Sequence, residues 1–271
     1  MKTIVTHTHP DLDAICSVWL LKKFGNHFGN SKVEFVPAGQ TYKDRPVDSS
    51  PDIVHVDTGH GIFDHHQSNA YTSAAELVLK SLDVNDDKAV KRIVAIVVGD
   101  DHAMDLKRPD AGDDMWQFWY GEILSGFKRL YPNDDHRVLA FGLEMLEAVY
   151  KTMQQKVDAE KELAEGTAFE TRWGKAVACA TYNDSVLDVG IRQGFVLVVR
   201  KDPGKHYVRV TGRADKNVDL TDACKSFEQK DPQATWYLHP SKVLLRNGST
   251  KNPHMVPTKL HLEEMVEILK T

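Results

Sequence analysis

"VTHTHPDLDA", Val5–Ala14, sets two histidines and two aspartates between His7 and Asp13, and the apolar run "AICSVWLLKKF" follows at once. Burying four such groups at the mouth of a helix is costly unless they face one another around a cation. The preceding "TIVTH" (3–7) reads as a short buried strand. Asp11 to Phe24 reads as a loop entering a helix, with Ile15, Val18 and Trp19 at helical spacing, Lys22 interrupting the stripe and Gly25 stopping it.

Working outward, "KVEFVPA" (32–38) and "DIVHVDTG" (52–59) are mostly apolar and end in turns, as parallel strands covered on both faces do. "SAAE" (73–76) is a capping box that starts a helix. "DKAVKRIVAIVVGDDHAMD" (87–105) is ambiguous: its length and opening favour helix, whereas "IVAIVV" alone suits a strand. The aromatic-rich stretch 113–130 reads as one helix with its aromatic side chains in the core. Asn133-Asp134-Asp135 then caps a long helix reaching about Glu165. After Gly166 the texture changes. "KAVACAT", "LDVGI", "FVLVVRK" and "YVRVTGR" read as short strands, with "DPGK" (202–205) a hairpin connection. Helices near 220–228 and 260–269 close the chain. The expected organisation is two α/β domains, 1–165 and a smaller 166–271.

Composition narrows the class. Of 271 residues, 41% are hydrophobic and 27% charged, which suits a globular protein with a sizeable core. No apolar run is long enough for a membrane helix, and "MKTIVTH" lacks an export signal. Cys16, Cys179 and Cys224 are too scattered for a zinc pair or a disulfide framework, so a cytoplasmic location is expected. A net charge of −5 argues against coating long nucleic acid and favours a small anionic substrate. No membrane partner is expected, and a homodimer is left open.

Three polar clusters each follow an apolar run: His7, His9, Asp11 and Asp13; then Asp57; then Asp64-His65-His66 with Asp100, Asp101 and His102. Ligand sites in open parallel sheets form at the carboxyl ends of the strands, where all these clusters would lie. Carboxylates mixed with imidazoles suit Mn²⁺, Fe²⁺, Co²⁺ or Zn²⁺ better than Ca²⁺. One carboxylate can bridge two ions about 3.5–4 Å apart, a common phosphoryl-transfer device. Asp57 is the natural bridge. Alone, each motif has an ordinary reading, Asp-x-Asp before a helix being most often a cap. Their coincidence carries the weight.

In this order and spacing the motifs resemble the DHH phosphoesterase superfamily. Its first motif, His-x-x-x-Asp-x-Asp, is matched by "HTHPDLDA", with His9 where Asn is usual. Asp57 matches the strand-end Asp, Asp64-His65-His66 the "DHH", and Asp100 or Asp101 the fourth Asp. The resemblance implies a parallel-sheet DHH domain with flanking helices, a smaller mixed α/β domain, and an active site in the cleft between them. It implies two divalent ions, foremost Mn²⁺, with Mg²⁺, Co²⁺ or Fe²⁺ as substitutes. His7, Asp11, Asp57 and the fourth-motif Asp would hold one. Asp13, Asp57, His65 and that same Asp would hold the other. His66 would face the substrate phosphate and Asp64 would orient the histidines. His9 and His102 depart from the pattern and are open to ligand, phosphate or no role.

The remainder resembles the family's DHHA1 substrate domain less closely. "VRVTGRAD" offers Arg209 and Arg213, but no "GGGH" loop exists. In its place stands "WYLHPSKVLLRNGSTKNP", with His239 as counterpart of the loop histidine. The activity implied is hydrolysis of a phosphate ester or phosphodiester in a small nucleotide or short oligonucleotide, with Asp57 and His66 central to catalysis. The alternatives are a manganese-dependent inorganic pyrophosphatase, or a non-catalytic module that binds metal and nucleotide.

Overall fold

The computed structural model describes residues 2–84, 86–252 and 254–270. Met1 of the opening run and Pro253 of the 236–253 stretch lie outside them. The chain divides into two compact units, Met1–Gln154 and Gln155–Thr271. Among the described residues, no helix is long and apolar enough to cross a membrane.

In the first unit, β1 (Thr3–His7) is the centre of a parallel sheet ordered β2 (Lys32–Val36), β1, β3 (Ile53–His55). Thr3 pairs with both Lys32 and Ile53. Ile4 and Val5 are fully buried, as a central strand covered on both faces requires. Helix α1 (Leu12–Phe24) starts at Asp11, whose carboxylate accepts the Ala14 N–H at 3.0 Å. Every residue from Leu12 to Leu21 is buried, so α1 is core on all sides rather than amphipathic. The helix ends at Gly25, as expected, and the Lys22 ammonium reaches the Ser31 carbonyl at 2.8 Å, with burial lowering its pKa.

Helix α2 (Ala74–Ser81) starts where the capping box predicts, with Ser73 Oγ accepting the Glu76 N–H. The ambiguous stretch is helix: α3 (Lys88–Asp101) buries Val90, Ile93, Val94, Val97 and Val98 along one face. Asp87 caps it through the N–H groups of Ala89 and Val90, and the Tyr150 hydroxyl donates to the same carboxylate at 2.6 Å. The stretch 113–130 is not one helix. A short 3₁₀ turn, Asp114–Phe118, stops at an extended Trp119, and α4 (Tyr120–Leu130) begins after it. The Trp119 indole donates to Asp100 and the Tyr120 hydroxyl to the Gly142 carbonyl. The aromatics here are also not core as expected: Phe118 is 84% exposed, because the turn leaves it on the outside.

Helix α5 (Asp135–Glu165) runs as its stripe predicts, and the division between units falls within it. The second unit is built on one mixed sheet of β4 (Thr167–Thr171), β5 (Gly174–Ala180), β6 (Leu197–Lys201), β7 (Val208–Gly212), β8 (Trp236–Leu238) and β9 (Leu244–Asn247). Its order is β4-β5-β6-β7-β9-β8, and β5 and β6 are parallel. Alternation along the strands separates two cores. Val177, Cys179 and Val198 pack with Ala159 and Leu163 from the end of α5. Ala176, Ala178, Leu197 and Val199 pack with Phe227 and Met265, from α7 (Thr221–Lys230) and α8 (Leu262–Leu269). "LDVGI" is not a strand. It lies in α6 (Ser185–Arg192), where Val186, Val189 and Gly190 bury one helical face against β6. Asn183 favours the helix by accepting the Ser185 N–H at 3.0 Å.

Candidate metal centre

The parallel sheet delivers His7 and Asp57 to one edge. His7 ends β1, and Asp57 lies two residues beyond β3. The chain turns sharply there, with Asp57 at φ 57, a left-handed conformation that aspartate and asparagine tolerate better than most residues. Asp57 is buried, and its two oxygens face different histidines. Oδ2 lies 3.2 Å from His7 Nε2; Oδ1 lies 3.5 Å from His65 Nε2 and 3.7 Å from His66 Nδ1. His7 Nδ1 is 2.8 Å from the Thr8 carbonyl, to which it donates, so Nε2 is the nitrogen presented to the carboxylates.

Asp11 adds its Oδ2 at 3.7 Å from His7 Nε2 while Oδ1 caps α1. Asp13 is buried and oriented from behind: its oxygens accept the N–H groups of Ala74 and Ala75 at 2.7 and 2.8 Å. The start of α2 thus holds this carboxylate in place, with Oδ2 still 3.7 Å from His65 Nε2. Asp101, at the end of α3, also stands 3.7 Å from that nitrogen. The fourth motif therefore comes from a helix end rather than a strand end. Of its two aspartates, Asp101 faces the cluster, and Asp100 accepts from the Trp119 indole.

Among the described residues, three groups place one ligand atom of each residue within 4.8 Å of the others: His7, Asp11 and Asp57; Asp57, His65 and His66; and Asp13, His65 and Asp101. Asp57 and His65 each belong to two of them. Asp57 Oδ1 and His65 Nε2 are buried without a hydrogen-bond partner among the described residues. Buried polar atoms are ordinarily paired, so these two await a partner, and a divalent cation suits both.

The electrostatics match. Burial would lower the His7 pKa, but Asp11 and Asp57 outweigh it and raise it to about 11. The Asp57 carboxylate, working against burial and joined by Asp101 and Asp13, raises His65 to about 9. Burial and the charge of Asp57 push Asp13 up; His65 and His7 hold Asp57 down despite its own burial. Without a cation, these carboxylates draw protons onto the imidazoles.

Asp64 is buried and accepts from the N–H groups of His60 and His66 and from His66 Nδ1 at 2.8 Å. It positions His66, not His65. His66 is largely exposed and lines a cavity of about 490 Å³ together with His7, Asp11, Asp57 and Asp101. His60, also on that cavity, went unnoticed in the sequence because its backbone, at φ 56, rather than a motif, puts it there.

The remaining candidates lie elsewhere. His9 is exposed at φ 54, with Nδ1 3.7 Å from Asp135. His102 caps α3, and its Nε2 lies 3.0 Å from the Thr72 carbonyl. In the second unit, Arg213 pairs with Asp215 through two hydrogen bonds, and Arg209 with Asp184 at 2.6 Å. His239 Nδ1 accepts the Ser241 N–H at 3.1 Å. Arg200, absent from the candidates, is the buried cation of this unit's charge network, between Asp184 and Asp202.

No family model and no curated protein matches the chain. Solved structures similar to it include the DHH domain of a member of a family of ribosomal proteins. That likeness is 13% identical, covers 99% of this chain and 85% of the other, and has a TM-score of 0.34. RecJ from Thermus thermophilus, in complex with Mg²⁺, is 12% identical with a TM-score of 0.33. The match covers 99% of this chain but 49% of RecJ, so this chain spans about half its length. An exopolyphosphatase-related protein from Bacteroides fragilis is 13% identical over 98% of this chain and 89% of its own, with a TM-score of 0.24. The residues of all four sequence motifs thus meet at one edge of a parallel sheet, and a mixed-sheet unit follows in the chain.

Proposed function

We propose that the chain is a metal-dependent phosphoesterase that hydrolyses a phosphate ester or phosphodiester of a small nucleotide or short oligonucleotide. The observation that carries this reading is Asp57, whose two oxygens face different imidazoles while one of them, with His65 Nε2, lacks any other partner among the described residues. His7, Asp11 and Asp57 would hold one cation; Asp13, Asp57, His65 and Asp101 would hold a second. Mn²⁺ suits this mixture of imidazole and carboxylate. When bound, such a pair polarises phosphoryl oxygens and eases deprotonation of water near neutral pH.

The chain's own residues do the rest. Thr8 fixes the His7 tautomer, and the start of α2 fixes Asp13. Asp64 holds His66 at the cavity wall, where its ring would face a phosphoryl oxygen of the substrate during attack. The test is mononucleotide release from a 5′-phosphorylated dinucleotide with Mn²⁺, beside a His65→Ala control and metal analysis of both proteins. Release only by the intact protein supports the reading. Stoichiometric Mn²⁺ without hydrolysis of this dinucleotide or of a nucleoside monophosphate would overturn it, as would hydrolysis of pyrophosphate alone.

A further inference from the structure

Beside the metal centre lies a second cavity, of about 740 Å³, bordered by His65, and His60 and Asp64 line both. A substrate with its phosphate among the histidines therefore has room for its remainder here. The walls state what that remainder is. Asp48 and Glu76 are acidic, and the one lysine on the wall among the described residues, Lys80, is already met by Glu76 at 3.0 Å. A further phosphate would find like charge and a cation already engaged. Two apolar side chains border the same space in full view of solvent: Ile62, 65% exposed, and Tyr71, 61% exposed.

Tyr71 is not a loose surface ring. It stacks on His102 with centroids 4.3 Å apart and planes 26° from parallel. That imidazole is fixed in turn by the Thr72 carbonyl, 3.0 Å from Nε2. One face of the tyrosine is thus backed by a ring held in place, and the rest borders the cavity. A platform ordered before the ligand arrives loses little freedom on binding. An uncharged, flat group with a π face is what it accepts, and every nucleobase is one.

We infer that Tyr71, backed by His102, is the stacking platform for the nucleobase of the substrate, and so a residue that sets specificity for nucleotides over pyrophosphate or polyphosphate. The inference rests on the phosphoesterase reading for where the phosphate sits. Its test separates binding from turnover. The 5′-phosphonate of adenosine and that of ribose, each with carbon in place of the ester oxygen, are titrated calorimetrically into the full chain with Mn²⁺. The adenosine compound is expected to bind about tenfold more tightly, the size of one stacking contact. Tyr71→Ala should erase the difference, and Tyr71→Phe should keep it. Equal affinities in the intact protein, no binding of either compound, or a preference that survives Tyr71→Ala would overturn the inference. A preference that depends on Tyr71 in a protein that cleaves nothing would sink the phosphoesterase reading and leave the base site standing. Turnover with no base preference would do the reverse.

Discussion

Asp57 Oδ1 and His65 Nε2 stand 3.5 Å apart, both buried, and neither has a hydrogen-bond partner among the described residues. A cation between them would satisfy both at once. Asp57→Ala is therefore expected to empty both metal positions and lower turnover by at least about 100-fold, the upper range for losing a mere orienting partner. Metal content after dialysis, measured with turnover, checks this. Retained metal and turnover would refute the bridging role.

The metal-free protein should lose stability as pH rises. His65 and His7 are raised from 6.5 to about 9 and about 11, so the stability they contribute is present below 6.5 and disappears as pH passes those values. Asp13, also raised, acts in the same direction above its ordinary 3.8, and the depressed Asp57 acts only below 3.8. Melting in EDTA should fall steadily from pH 6.5 to 9. Mn²⁺ displaces the same protons, so the stabilisation it confers should grow over that range. A melting temperature in EDTA that is flat or rising would contradict the charge arrangement.

Asp13 and Asp101 face the same nitrogen but differ in what else they hold. Asp13→Ala strands the N–H groups of Ala74 and Ala75 at the start of α2 and should cost about 2–4 kcal/mol as well as metal. Asp101→Ala should lose metal with stability within about 1 kcal/mol. Urea denaturation of the metal-free variants separates the two.

Arg200 and Arg213 offer a parallel contrast in the second unit. Arg200→Ala leaves Asp202 without its buried partner and should destabilise by about 3–5 kcal/mol. Arg213→Ala removes a solvent-exposed pair with Asp215 and should leave stability essentially unchanged. Chemical denaturation of both variants checks the difference.

What the sequence disclosed and what it concealed divide along physical lines. Buried periodicity was legible: β1, α1 and the stripe of α5 stand where the spacing of apolar residues puts them. "LDVGI" misled because Leu187, Val189 and Ile191 alternate as a strand does, whereas the buried helical face runs through Val186, Val189 and Gly190. The turn at Trp119 was hidden because its cause, contacts to Asp100 and Gly142, is tertiary. Within the site, residue types and order announced the metal centre. The choice of Asp101 over Asp100 needed the helix end that aims one of them, and the dual duty of Asp13 needed the start of α2.

The left-handed backbone at Asp57 carries one more consequence. At φ 57, side chains branched at Cβ are strained, while Asn and Gly are well tolerated. Among the residues that this backbone favours, aspartate is the one that brings a carboxylate to position 57. A library randomised there and sorted for soluble expression would return Asn and Gly survivors with sound cores and no carboxylate, so a healthy yield at this position is a poor guide to a working protein.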